Sequence, residues 1–124
     1  MSKKILIVDD EESIRYSFES LLNDAGYQVA TAASIPDCMQ IVEKASFDLI
    51  YLDIAVGQEN GLDALRDLKK RFPSCPIVMI TGAPGSKTII DAINHGASDY
   101  LAKPIRPFSL QYITEKVLAE SAAS

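Results

Sequence analysis

The chain of 124 residues carries a formal charge of −5, with 48% hydrophobic and 23% charged residues, which suits one domain able to fold on its own core without a disulfide or metal staple. A pI near 4.7 and the absence of any basic run longer than three residues argue against direct nucleic-acid binding by this chain, and the apolar stretch Ile5 to Val8 is far too short for a signal peptide or a membrane span. Cys38 and Cys75 lack metal-ligand spacing and read as free thiols of a reducing compartment, so a cytoplasmic protein is expected.

Lys4 to Val8 (KILIV) is a short, almost wholly apolar run, the pattern of a strand buried on both faces. Ser13 to Ala25 puts Ile14, Phe18, Leu21, Leu22 and Ala25 on one helical stripe, closed by Gly26. Gln28 to Ala32 is a second strand candidate. Ser34 with Asp37 three residues later resembles a capping box for a helix carrying Cys38, Ile41, Val42 and Ala45.

Asp48 to Leu52 is the third strand and ends at Asp53; a loop to Gly61 leads to a helix marked by Leu62, Leu65, Leu68 and Phe72 and stopped by Pro73. Ile77 to Ile80 forms the fourth strand, followed by Thr81, and a helix from Lys87 to His95 is ended by Gly96. Asp99 to Ala102 is the last strand. A final helix from Pro107 turns Phe108, Leu110, Ile113 and Val117 toward the core, and the tail Ala119 to Ser124 is expected to fray. Strict strand–helix alternation implies right-handed crossovers and a parallel sheet covered on both faces, a three-layer α/β domain occupying residues 1–124 with its core over 3–118.

In such sheets chemistry collects outside the carboxyl ends of the strands. The first strand ends in Asp9 and Asp10, the third in Asp53, the fourth in Thr81, and the fifth leads to Lys103 and Pro104. Converging carboxylates repel one another until they take up protons or a cation, and hard oxygen ligands favour Mg²⁺ or Ca²⁺. Mg²⁺ keeps waters that phosphate oxygens can replace, Lys103 offers a point charge for a phosphoryl oxygen, and Asp53 is placed as a carboxylate nucleophile. Taken alone, the acids of Asp9 to Glu12 would be a solvated loop; it is their combination with Asp53, Thr81 and Lys103 that carries chemistry.

The segments VDDEE, YLDIAVGQENG, MITG and YLAKP together resemble the receiver domain of two-component response regulators, over Lys3 to about Leu118. The resemblance implies a flavodoxin-like (βα)5 doubly wound fold, with a five-stranded parallel sheet in the order 2-1-3-4-5. It further implies that Asp9 and Asp10 hold Mg²⁺ with Asp53 and the backbone carbonyl of Ala55, and that Asp53 is the phosphoacceptor. Thr81 matches the switch hydroxyl, Lys103 the phosphoryl-binding lysine, Tyr100 the aromatic that changes rotamer on activation, and Pro104 the proline after a cis peptide bond. A sensor histidine kinase or phosphotransfer protein would be the donor. The face of the fourth helix, fifth strand and fifth helix, with Lys87, Asp91, Tyr100, Arg106 and Gln111, would dimerise or meet an output; the chain fits either a stand-alone receiver or one whose downstream output domain lies outside this chain.

Glu11 and Glu12 are expected in the loop entering the first helix, suiting its positive dipole end. Gly57 stands where the family often has proline, so with Gly61 nearby the loop Ile54 to Asn60 is expected to be mobile. Ala55 and Ala83, small and neutral, occupy the positions that tune phosphoryl lifetime and cannot position a hydrolytic water, which implies self-dephosphorylation that is not exceptionally fast. His95 is expected to do no more than meet a helix end, and the glycine-rich Thr81 to Ser86 lacks a P-loop lysine and reads as a switch loop. The competing readings are a metal-dependent phosphatase, which lacks its D-x-D nucleophile motif and cap, and a degenerate scaffold, which the intact five-residue set opposes.

Overall fold

Alternate residues of β1 (Lys4–Val8) reach opposite cores: Ile5 and Ile7 enter one, Leu6 and Val8 the other, and all four are fully buried. A strand with apolar side chains on both faces can only sit inside a three-layer structure. The computed structural model describes residues 2–83, 85 and 87–123, without the side chain of the last. After β1 come α1 (Glu12–Asp24), β2 (Gln28–Ala32), α2 (Ile35–Lys44), β3 (Leu49–Asp53), β4 (Ala55–Val56), β5 (Glu59–Asn60), α3 (Gly61–Arg71), β6 (Ile77–Thr81), α4 (Lys87–Asn94), β7 (Asp99–Ala102) and α5 (Pro107–Ala123).

β2, β1, β3, β6 and β7 lie side by side in that order, every pair parallel. The order reverses between β1 and β3, which opens a crevice at the carboxyl ends of those two strands. Phe18 and Leu22 of α1 with Leu110 and Val117 of α5 cover one face, packing on Ile5, Ile7, Tyr51, Val78 and Ile80. Cys38 and Val42 of α2, Ala64, Leu65 and Leu68 of α3 and Ala92 of α4 cover the other. Each fully buried Leu, Ile or Phe here contributes about 1.5–3 kcal/mol over its exposed state.

Several expectations are corrected. The segment after Asp53, expected as a loop, contains a two-stranded antiparallel hairpin, β4 with β5, turned by Gly57 at φ +64°. Glu59 of the hairpin accepts the Ile35 amide (3.2 Å), tying it to the first turn of α2. Gly61 serves close approach: a Cβ there would stand 2.3 Å from the Asp53 carbonyl oxygen. Phe108, expected in the core, is 78% exposed, because Leu110, Thr114 and Val117 define the inward stripe of α5 and position 108 lies on the opposite side of the helix. Leu21 and Ala25 are exposed at the margin of the Phe18–Leu22 stripe, and Ile113 is half-buried. The tail reads as helix through Ala123, while Ser124 lies outside the described residues. Pro84 and Ser86 of the glycine-rich segment also lie outside them.

Ser34 does cap α2, its Oγ accepting the Asp37 amide (3.2 Å), and Cys38 and Cys75 are free thiols. Among the described residues no helix is long and apolar enough to cross a membrane.

Candidate functional site

At the crevice, Asp9 follows β1, Asp53 closes β3, Thr81 closes β6 and Lys103 follows β7. Parallel register brings these ends level, since Asp53 pairs with Ile80 and Thr81 with Ala102. The ladder continues past the strand, where the Lys103 amide donates to the Thr81 carbonyl (2.7 Å), and the peptide bond that follows, Lys103–Pro104, is cis. Residues separated by up to 94 positions thus share one cleft.

Asp9, Asp10 and Asp53 each present a carboxylate oxygen, and these oxygens lie within 4.8 Å of one another. The three differ in setting, Asp9 and Asp53 being buried and Asp10 exposed. Asp9 is positioned most elaborately. Its amide donates to Ala32 O (3.1 Å), its carbonyl accepts from Arg15 (2.8 Å), and its Oδ1 accepts the Glu11 amide (2.9 Å). Asp53 Oδ1 accepts the Ala55 amide (3.1 Å) and its Oδ2 accepts from Lys103 Nζ (3.1 Å).

The electrostatics are strained by design of the cluster. Burial pushes the Asp9 carboxyl up to about 6, against the Glu11 amide that favours its charge; the Asp53 charge adds to the rise and Lys103 opposes it. Burial works against the Lys103 ammonium, but its hydrogen bonds to Glu11 and Asp53 and the charges of Asp53 and Asp9 overcome that, so its pKa lies above the ordinary lysine range. One ammonium faces three carboxylates: Glu11 at 2.6 Å, Asp53 at 3.1 Å and Asp9 at 3.3 Å.

Asp9 Oδ2 is the oxygen this arrangement leaves short. It is fully buried and accepts no hydrogen bond from the described residues; the 3.3 Å contact to Lys103 is an ion pair without hydrogen-bond geometry. An orphaned carboxylate oxygen beside two more carboxylates, all hard donors, fits a small divalent cation such as Mg²⁺.

Thr81 is buried with its Oγ1 accepting the Ala83 amide (3.0 Å), so the hydroxyl is engaged with its own loop. Tyr100, on edge strand β7, is 38% exposed. His95 is exposed, its Nδ1 bonded to the Asp91 carbonyl oxygen at the end of α4. Two contributors escaped sequence reasoning. Glu11 belongs to the lysine's coordination rather than to loop solvent, and Arg15 steadies the Asp9 backbone from the first turn of α1. Neither carried a sequence signal beyond its closeness to the acid run Asp9 to Glu12.

Residues 5–115 match the family model for the response regulator receiver domain. The chain is 40% identical over 115 residues to the alginate biosynthesis transcriptional regulatory protein AlgB of Pseudomonas aeruginosa, covering 93% of this chain and 26% of that protein. It is 34% identical over 117 residues to the transcriptional regulatory protein ZraR of Escherichia coli, covering 94% and 26%. The chain therefore spans about a quarter of the length of these curated relatives. Among solved structures, NtrX from Brucella abortus superposes with a TM-score of 0.94 at 33% identity, over 99% of this chain and 29% of that one. A CheY-like receiver domain protein from Methanospirillum hungatei gives 0.94 at 30% identity, over 99% and 98%. The chain belongs to the receiver domains of two-component response regulators, a family of signalling modules rather than of enzymes acting on separate substrates.

Proposed function

We propose that this chain accepts a phosphoryl group on Asp53 from the phosphohistidine of a sensor histidine kinase or phosphotransfer protein. The observation that carries the reading is Lys103 Nζ at 3.1 Å from Asp53 Oδ2, in a cleft where Asp9, Asp10 and Asp53 oxygens converge within 4.8 Å. A carboxylate between a cation-ready acid cluster and an ammonium is the arrangement that in-line phosphoryl transfer requires, since that reaction is mostly positioning and charge neutralisation.

Asp9, Asp10, Asp53 and the carbonyl of Ala55 would hold Mg²⁺, which when bound neutralises charge on the transferring phosphoryl oxygens. An Asp53 carboxylate oxygen forms the bond to phosphorus as the phosphorus–nitrogen bond breaks, and the electron pair returns to the leaving imidazole. Lys103 then holds one phosphoryl oxygen. The Thr81 hydroxyl, which accepts from the Ala83 amide, donates its own proton to another, and Tyr100 turns inward behind it. The consequence is a changed surface on α4, β7 and α5 that dimerises or meets an output. Residues 1–124 act as one receiver unit in the cytoplasm, and its output lies in the remainder of a longer regulator, as the share of AlgB and ZraR it spans suggests.

Incubation with Mg²⁺ and acetyl phosphate, read by intact-mass spectrometry, tests this. Wild type is expected to gain one base-labile phosphoryl group, and chelation of the metal or Asp53→Asn is expected to abolish it. An adduct that persists in Asp53→Asn removes Asp53 from its role.

A further inference from the structure

Glu11 occupies the N-cap of α1 with extended backbone (φ −84°, ψ 117°), yet its side chain makes no cap hydrogen bond. A residue in that position ordinarily turns its oxygen back onto the amides of the first turn. Glu11 instead reaches across the cleft, and its Oε1 accepts from Lys103 Nζ at 2.6 Å, a contact spanning 92 positions. It is the shortest of the three carboxylate contacts to that ammonium.

The three carboxylates are not equally free to let go. The side chains of Asp9 and Asp53 are 0% and 7% exposed, whereas that of Glu11 is 52% exposed. An ammonium has three protons to give; hydrogen bonds to Glu11 and Asp53 take two of them and Asp9 is held as an ion pair, so a phosphoryl oxygen on Asp53 draws the ammonium away from partners it already has. Only Glu11 can surrender its share and be solvated at once, because the others would remain buried charges without a partner. Its backbone is meanwhile held by the Glu11 amide's bond to Asp9 Oδ1 (2.9 Å), so the side chain alone must move.

Building on the phosphoacceptor reading, we infer that Glu11 is a competing anchor for Lys103: its carboxylate holds the ammonium in the unphosphorylated protein and is displaced when Lys103 takes a phosphoryl oxygen. Glu11 is thus a positioning residue that acts through Lys103 and lowers the rate and extent of Asp53 phosphorylation. It keeps the cleft's cation occupied until a phosphoryl group competes for it.

Two variants separate this from simpler effects. Glu11→Gln keeps the length and removes the charge; Glu11→Asp keeps the charge but is one methylene too short to make the contact. Both are expected to raise the rate of Asp53 phosphorylation by acetyl phosphate at saturating Mg²⁺ by about 1.5- to fivefold, the range a half-exposed ion pair supplies. A second readout needs no turnover. Beryllium fluoride with Mg²⁺, followed by amide NMR shifts, should reach half-saturation at a concentration lower by a similar factor in both variants.

Wild-type behaviour in both variants overturns the inference. So does acceleration in Glu11→Gln with Glu11→Asp unchanged, which would make the effect one of general charge. Slower phosphorylation together with weaker Mg²⁺ binding overturns it in favour of a metal-ligand role. These outcomes all presuppose a phosphorylated wild type; a wild type that takes no phosphoryl group on Asp53 overturns the phosphoacceptor reading itself, and this one with it.

Discussion

The Tyr51 hydroxyl of β3 and the Thr114 hydroxyl of α5 share a fully buried hydrogen bond between residues 63 positions apart. Thr114 Oγ1 donates in turn to Leu110 O (2.7 Å), so Tyr51 is the donor in the pair. Phe18 meets the same ring edge-on, with centroids 5.5 Å apart at 89°. Burial raises the Tyr51 pKa well above its ordinary value, which keeps the hydroxyl protonated and donating. This chain of contacts fastens α5 to the strand that ends in Asp53.

The two ends of that hydrogen bond are unequal. Tyr51→Phe removes a donor and leaves Thr114 bonded to Leu110, a loss of about 1 kcal/mol. Thr114→Val strands a buried hydroxyl and should cost about 2–3 kcal/mol. Urea unfolding of both variants checks the order; a Tyr51→Phe protein less stable than Thr114→Val would contradict it.

Gly61 and Gly57 flank the same hairpin for different reasons. A Cβ at Gly61 would meet the Asp53 and Ile54 carbonyl oxygens at 2.3 and 2.6 Å, and neither backbone atom can yield without moving the residue that ends β3. Gly61→Ala should therefore lose about 2–3 kcal/mol, at the upper end of overpacking, and shift the Asp53 amide resonance. Gly57→Ala meets open space and only the left-handed backbone penalty, about 1 kcal/mol. Equal losses in the two would refute the steric assignment.

Lys103 competes with any cation for the oxygens of Asp9 and Asp53, at 3.3 and 3.1 Å. Lys103→Met should tighten Mg²⁺ binding about tenfold, since removing a unit charge this close relieves direct repulsion, while the metal-free protein loses stability. Titration calorimetry measures the first effect and urea unfolding the second. Weaker Mg²⁺ binding in Lys103→Met would show that the ammonium does not share those oxygens.

The thiols give a pH test independent of the cleft. Burial pushes Cys38 and Cys75 up from 9.0 to about 11. Folding favours the neutral thiol, so this contribution is full below pH 9 and is lost as pH rises from 9 through 11. At pH 8 the thiolate fraction falls about 100-fold, and disulfide-exchange reagents should react that much more slowly with native than with unfolded protein. Cys75, the less buried, should react before Cys38. Native thiols reacting at the unfolded rate would rule this out.

Strand–helix alternation, the carboxyl-end residues Asp9, Asp10, Asp53, Thr81 and Lys103, and the caps at Ser34 and Gly26 were all legible in the sequence by itself. Each depends on local periodicity or on where a strand stops, which neighbouring residues encode. Only the tertiary structure decided that Phe108 faces water, that residues 55–60 form a hairpin held by Glu59, that Thr114 caps Tyr51, and that Glu11 grips Lys103. Those outcomes turn on helix rotation and on contacts between distant elements, and no local pattern carries them, because an exposed acid or a threonine looks the same in sequence whether or not a partner from another part of the chain stands opposite it.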